Sequence, residues 1–294
     1  MPDSYAHKYN AQCALKISNY TPRNYEAFIL GCNGPDPLFF HRMYNPINKL
    51  RLAPLCKRMH NEKTGLFLQN LFRFAQTNAQ KDFCLGFLCH YSLDSIMHPY
   101  INYVTTAYGH PFNKEHGHAF FESSLDSLIS HHENGNWSAS PSEYFPEMKK
   151  MYLDQIITLF KQTCDATYPD MKYSRDEYLQ AFKDFKSIKN LLHSQGQTKR
   201  TIARLAEIIL KMDKGYIISH MQPCHDDISD ISIWRNNVTG FFCTNTIQEL
   251  FETANQLSAN YIDIGLEFFN GKYSAVDLLE DIGNKSYETG VTID

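Results

Sequence analysis

An all-α fold is predicted for this 294-residue sequence by three observations. Apolar residues recur at helical spacing in most segments, strict strand-type alternation is missing, and Gly, Asn and Pro turn signals separate the helical blocks. Helices that each bury one stripe pack most simply as a multi-helix bundle. The expectation is a single domain over residues 1–294, with the chemistry in residues 1–132 and helices within 140–294 completing the bundle.

The elements follow in order. Residues 64–75 place Leu68, Leu71, Phe72 and Ala75 in a helical pattern, and residues 83–96 are apolar enough for a helix buried on most sides. Residues 147–164 carry a stripe of Met148, Met151, Tyr152, Ile156, Leu159 and Phe160. Further stripes run over 175–192, 198–221 and 246–269, the last opening with Thr246 three residues before Glu249, the spacing of a capping box. Breaks fall at 32–36, 108–111, 133–136 and 194–197, each built on Gly, Asn or Pro. With 18 Tyr and 20 Phe, most aromatic rings must enter the core, leaving a few to line a cleft.

Composition narrows the function classes. An apolar fraction of 43% supports a sizeable core. A net charge of −4 gives no general electrostatic reason to bind nucleic acid or an anionic membrane, and no stable nucleic-acid binding is expected. Lys149, Lys150, Lys199 and Arg200 form the notable basic clusters. No run approaches the ~18–20 apolar residues that span a bilayer, so no transmembrane segment is expected. The first residues lack the basic and apolar regions of a secretory signal. The eight cysteines stand singly, without a CxxC pair, as reduced thiols in a cytoplasmic protein rather than a thiolate zinc site.

Histidine is distributed unevenly: ten of the thirteen lie at or before position 132. Two rows stand out. His90, Asp94 and His98 are spaced i, i+4, i+8 on one apolar helix, and His118, Glu122 and Asp126 repeat the spacing. Such steps place all three side chains of a row on roughly one helix face. Two rows turned toward each other build a metal site in a bundle core, expected between helices near 83–98 and 115–131. Neutral imidazole and carboxylate are the ligands zinc takes where thiolate is absent. A carboxylate such as Asp94, set in an apolar helix, needs a strong partner, and metal is one.

The other polar residues carry blander readings. Pro99 follows His98 and is expected to end the helix there. His131 and His132 read as a solvated helix terminus beside Asn134-Gly135. His110 and His116 stay open between ligand, substrate contact and loop. Asp226, Asp227 and Asp230 read as a solvated, capped loop.

Over roughly residues 5–130 the chain resembles the zinc-dependent phospholipase C family, related in fold to single-strand-specific zinc nucleases. The matching elements are Tyr5-Ala-His7, Gly31-Cys-Asn-Gly-Pro-Asp36, Met59-His60, the His90-x-x-x-Asp94 row with His98, and His118-x-x-x-Glu122. The resemblance implies two or three zinc ions. It assigns His60, His90 and Asp94 to one, with Asp36 beside it as ligand or general base, and His98, His118 and Glu122 to a second. It assigns His7 and the bridging Asp94 to a third, less complete site. It further implies hydrolysis of a phospholipid or another phosphodiester by zinc-activated water, with Asp36 as the catalytic residue. Two other readings remain: a nuclease or nucleotidase on the same cluster, needing stacking platforms and a basic groove, and a non-catalytic metal-binding scaffold, whose closed sites leave no position for water.

Overall fold

The computed structural model describes the whole chain except residues 1–3, 45–50, 108–115, 195, 225–227, 229 and 294. The predicted helical bundle is present. Its helices are α1 (Ser4–Ser18), α2 (Tyr25–Gly31), α3 (Ala53–Asn61), α4 (Thr64–Phe74), α5 (Asn78–Thr106), α6 (Gly117–Asn134), α7 (Pro141–Tyr144), α8 (Lys150–Thr167), α9 (Arg175–Leu192), α10 (Thr198–Ile209), α11 (Ile247–Phe269) and α12 (Ala275–Ile282). Two 3-10 turns, Asp36–Phe40 and Ile218–His220, join them.

Local chemistry sets many of the starts. Capping boxes open α5 (Thr77 with Gln80), α9 (Ser174 with Glu177), α11 (Thr246 with Glu249) and α12 (Ser274 with Asp277). The stripes over 64–75, 147–164, 175–192 and 246–269 correspond to α4, α8, α9 and α11 within a few residues.

The long helix α5, 29 residues, is the axis of the molecule and is buried along most of its length. It packs against α1, α2, α4, α6, α8 and α11. Its crossing with α2 is close: a Cβ on Gly31 would lie 2.2 Å from the Phe83 carbonyl oxygen, and one on Gly86 would lie 2.0 Å from that of Phe28. This contact seats the loop after α2 on α5. Two apolar clusters divide the interior. One gathers Phe83, Phe87 and Tyr91 with rings from α4, α8 and α9; the other gathers Leu93, Met97 and Ile101 with α6, Phe251 and Trp234. Both draw on α5, and its polar row lies where they meet.

Two expectations are corrected. Pro99 does not end the helix at His98: α5 runs on to Thr106 with Pro99 inside it. A mid-helix proline costs about 3 kcal/mol, and burial of Met97, Tyr100, Ile101 and Val104 on both sides of it offsets that cost. The stripe over 198–221 is not one helix either. It stops at Ile209, Lys211 turns to φ +52°, and the Glu207 carboxylate binds the amides of Ile217 and Ile218, folding the chain back. A short hairpin, β1 (Trp234–Arg235) against β2 (Phe242–Cys243), interrupts the all-helical pattern. The eight cysteines are free thiols. Among the described residues no helix is long and apolar enough to cross a membrane.

Candidate metal centre

Five segments deliver the polar residues to one place. Helix α5 supplies His90, Asp94 and His98, all at most 1% exposed. Helix α1 supplies His7, α3 supplies His60, the turn after α2 supplies Asp36, and α6 supplies His118 and Glu122. The third member of the α6 row has a different job. Asp126 accepts hydrogen bonds from the Tyr5 and Ala6 amides at 2.9 and 2.8 Å and from the Gln222 side chain at 2.8 Å. The first amides of a helix lack intrahelical partners and carry its positive end, so this carboxylate pins the start of α1 and with it His7.

The imidazoles are aimed from behind. The Nδ1 atoms of His60, His90 and His98 lie 2.7, 3.2 and 2.8 Å from the carbonyl oxygens of Cys56, Cys32 and Tyr287. A carbonyl only accepts, so each Nδ1 carries the proton and each Nε2 presents a lone pair to the interior. His7 stacks on His90 with ring centres 4.2 Å apart. The Tyr287 ring stands against His60 at 5.1 Å and His90 at 5.8 Å.

The inner faces converge on Asp94. Its Oδ1 lies 3.3 Å from His7 Nε2, while its Oδ2 lies 3.1 Å from His90 Nε2 and 3.8 Å from His60 Nε2. Asp36 Oδ1 stands 3.4 Å from His60 Nε2 and 3.7 Å from His90 Nε2. A second group lies further along α5: Glu122 Oε1 is 2.7 Å from His118 Nε2 and 3.7 Å from His98 Nε2. All eight residues expected to form the site are thus brought together, in two adjoining groups.

Buried charge shapes their protonation. Burial opposes ionisation of Asp94, yet His90 and His98 hold its carboxyl well below the usual range. Burial also pulls His90 down, but Asp94 and Asp36 outweigh it and the net shift is upward. Burial and the neighbouring His90 keep His7 neutral, and burial drives His98 down to about 3.

Residues 6–173 match the zinc dependent phospholipase C family, more than half of the chain. The chain belongs to this family. The match runs beyond the expected stretch of 5–130, through α8, and stops before α9. No curated protein and no solved structure shows significant similarity to the chain.

The residues fit the metal that the family name implies. Three donor sets have all ligand atoms within 4.8 Å of one another: His7, His90 and Asp94; Asp36, His60 and His90; His98, His118 and Glu122. Buried polar atoms that make no hydrogen bond cluster here, including Nε2 of His7, His90 and His98, Oδ1 of Asp36 and both oxygens of Asp94. Leaving so many buried polar atoms unsatisfied is costly unless a cation takes them. An imidazole nitrogen offers one lone pair, so His90 would serve one ion only, whereas the two oxygens of Asp94 face different partners.

Several other described histidines have partners of their own. His41 Nδ1 accepts from the Leu52 amide at 3.1 Å. His116 opens α6 with its ring 5.7 Å from that of Tyr216. His131 stacks on Trp137 at the exposed end of α6, where Gly135 closes the helix. His110, Asp226 and Asp227 lie outside the described residues, while Asp230 caps α11 by accepting from the Ile247 amide. Tyr287, Cys32 and Cys56 were missed by sequence reasoning. They act through backbone carbonyls, which leave no mark in a sequence.

A pH prediction follows for the metal-free protein. A histidine whose folded pKa lies below its unfolded value takes up its proton more readily on unfolding. Its cost to stability is therefore absent above pH ~6.5 and grows as pH falls toward the folded pKa. For His98, down at about 3, this amounts to about 2 kcal/mol at pH 5. His90 works in the opposite sense, so the contrast to measure is wild type against His98→Asn. Urea unfolding at pH 7.5 and pH 5 is expected to show a steeper loss in wild type; equal slopes would contradict the neutral His98.

Proposed function

We propose that this family member hydrolyses a phosphodiester, and that the substrate is a phospholipid whose phosphorylated head group is released. The observation that carries the reading is Asp94, with one oxygen facing His7 and the other facing His60 and His90. Adjoining sites linked by a carboxylate suit phosphoryl chemistry, where charge sits on both the attacking and leaving oxygens. Zinc bound there supplies positive charge for the phosphate and acidifies water.

The chain's own groups do the rest. His60, His90 and Asp94 would hold one ion and His98, His118 and Glu122 a second, with His7 and Asp94 offering a third position. Asp36, beside His60 and His90, serves as a ligand or receives the proton of the attacking water. The carbonyls of Cys56, Cys32 and Tyr287 fix the ring orientations. We place the whole chain in one domain, because the Tyr287 carbonyl lies beyond the family match yet orients His98. Eight free thiols, six of them buried, support a cytoplasmic setting. The net charge of −4 argues against nucleic acid as substrate.

The test is turnover of soluble short-chain phosphatidylcholine and of an activated phosphodiester by zinc-loaded protein. Expected is zinc-dependent release of a phosphomonoester product, abolished by chelation and restored by zinc. Zinc-loaded protein that cleaves neither substrate would overturn the reading and favour the non-catalytic scaffold.

A further inference from the structure

Helix α10 is built inside out. Its inner face carries Glu207, fully buried, whose carboxylate accepts from the amides of Ile217, Ile218 and Gly215 at 2.6, 2.9 and 3.2 Å and pairs with Arg204 at 3.1 Å. Its outer face carries Ile202, Leu205, Ile208 and Ile209, and with Leu210 just beyond the helix these residues are 54–76% exposed. A helix on a water-facing surface ordinarily turns such residues inward.

The charge around this face is equally unusual. Residues 198–216 hold five basic against two acidic residues, in a chain of net charge −4. One of the two acids is the buried Glu207, so Asp213 alone offsets the exposed Lys199, Lys211 and Lys214. The overall charge gives no reason to meet an anionic membrane, but this stretch does. It also lies near the candidate centre. The turn after α10 brings Tyr216 against His116, two residues before His118, whose side chain is 38% exposed while those of its neighbours His98 and Glu122 are 1% and 11%.

We propose that α10 and the turn after it dock the protein on an anionic lipid surface. The aliphatic face enters the boundary of the acyl region, and Lys199, Lys211 and Lys214 lie among the head groups. The His118 end of the metal centre then faces the bilayer. The charge pattern favours lipid over a second copy of the chain, because a two-fold pairing of these faces would set the lysines of one copy against those of the other. The inference deepens the phospholipid reading and rests on it for its purpose, whereas docking itself requires no turnover.

Co-sedimentation with vesicles of phosphatidylcholine, with and without phosphatidylserine, tests it. Wild type is expected to bind the anionic vesicles, to bind neutral ones more weakly, and to be released by salt. Ile202→Ser/Leu205→Ser/Ile209→Ser removes only outward side chains and is expected to lose binding with its thermal midpoint kept. Lys199→Gln/Lys211→Gln/Lys214→Gln should weaken binding about fivefold per lysine, and it keeps the test open should the serine variant unfold. Asp94→Asn should bind vesicles as wild type does, which separates docking from the metal centre. Vesicle binding without turnover would uphold docking while the hydrolase reading fell. No binding by wild type, unchanged binding in the lysine variant, or a dimer that the serine substitutions disperse would overturn the proposal.

Discussion

Replacing Asp94 by Asn is expected to cost the protein at least one zinc per chain and on the order of a thousandfold in phosphodiester turnover, the equivalent of losing several kcal/mol of transition-state stabilisation. The size follows from position. Asp94 is fully buried, with one oxygen 3.3 Å from His7 and the other 3.1 and 3.8 Å from His90 and His60. An amide has neither the charge nor the second oxygen, so it cannot bridge. Stability should move with occupancy. A ligand present at a thousandfold excess over its Kd stabilises the folded state by about 4 kcal/mol, and that increment should disappear with the zinc. Elemental mass spectrometry, turnover and melting curves on one preparation decide the matter. Wild-type zinc content in Asp94→Asn would mean that the histidines around it are core packing and that the metal lies elsewhere.

The periodicity that marks Asp94 also shows where sequence reasoning stops. On α5 the i, i+4, i+8 row is legible because a helix repeats its face at that interval, and His90, Asp94 and His98 do point one way. On α6 the same arithmetic places Asp126 with His118 and Glu122, but the structure spends that carboxylate on the Tyr5 and Ala6 amides. Spacing gives direction; it does not say what waits there. His7, Asp36 and His60 came only through family resemblance, since each stands alone in its segment without a pattern. Helix α1 shows no apolar stripe for a related reason. Its buried positions are Ser4, Tyr5, Ala6, His7, Asn10, Ala11 and Ala14, which are mostly small or polar and trace no apolar face. Asn10 is buried because it hydrogen-bonds the Cys89 carbonyl and Ser258, partners that lie 79 and 248 residues away. The break in the 198–221 stripe was illegible because the residue that folds the chain back, Glu207, looks like an ordinary surface acid.

Substitution of Gly34 by Ala is expected to disable the centre without touching a single ligand atom. Gly34 holds φ at +52°, where a β-carbon is strained, and that carbon would sit 2.2 Å from His90 Cδ2 and 2.5 Å from His90 Nε2. The ring has no room to withdraw: it is fully buried, its Nδ1 lies 3.2 Å from the Cys32 carbonyl oxygen, and its face is stacked on His7. Left-handed strain and overpacking cost about 1–3 kcal/mol each, which together lowers the melting temperature by roughly 5–10 °C in a chain of this size. Activity should fall further than stability does, because a displaced His90 serves neither Asp36 and His60 nor Asp94. Gly135→Ala supplies the control. Gly135 also has positive φ, +72°, but nothing lies within 4 Å of its Cβ position, so that variant should lose about 1 kcal/mol and keep its zinc. Should the two alanine variants bind equal zinc and turn over equally, the contact between the 32–36 turn and His90 would have no part in shaping the centre. A selective loss in Gly34→Ala would tie the Gly-Pro-Asp turn to the metal through the ring it supports.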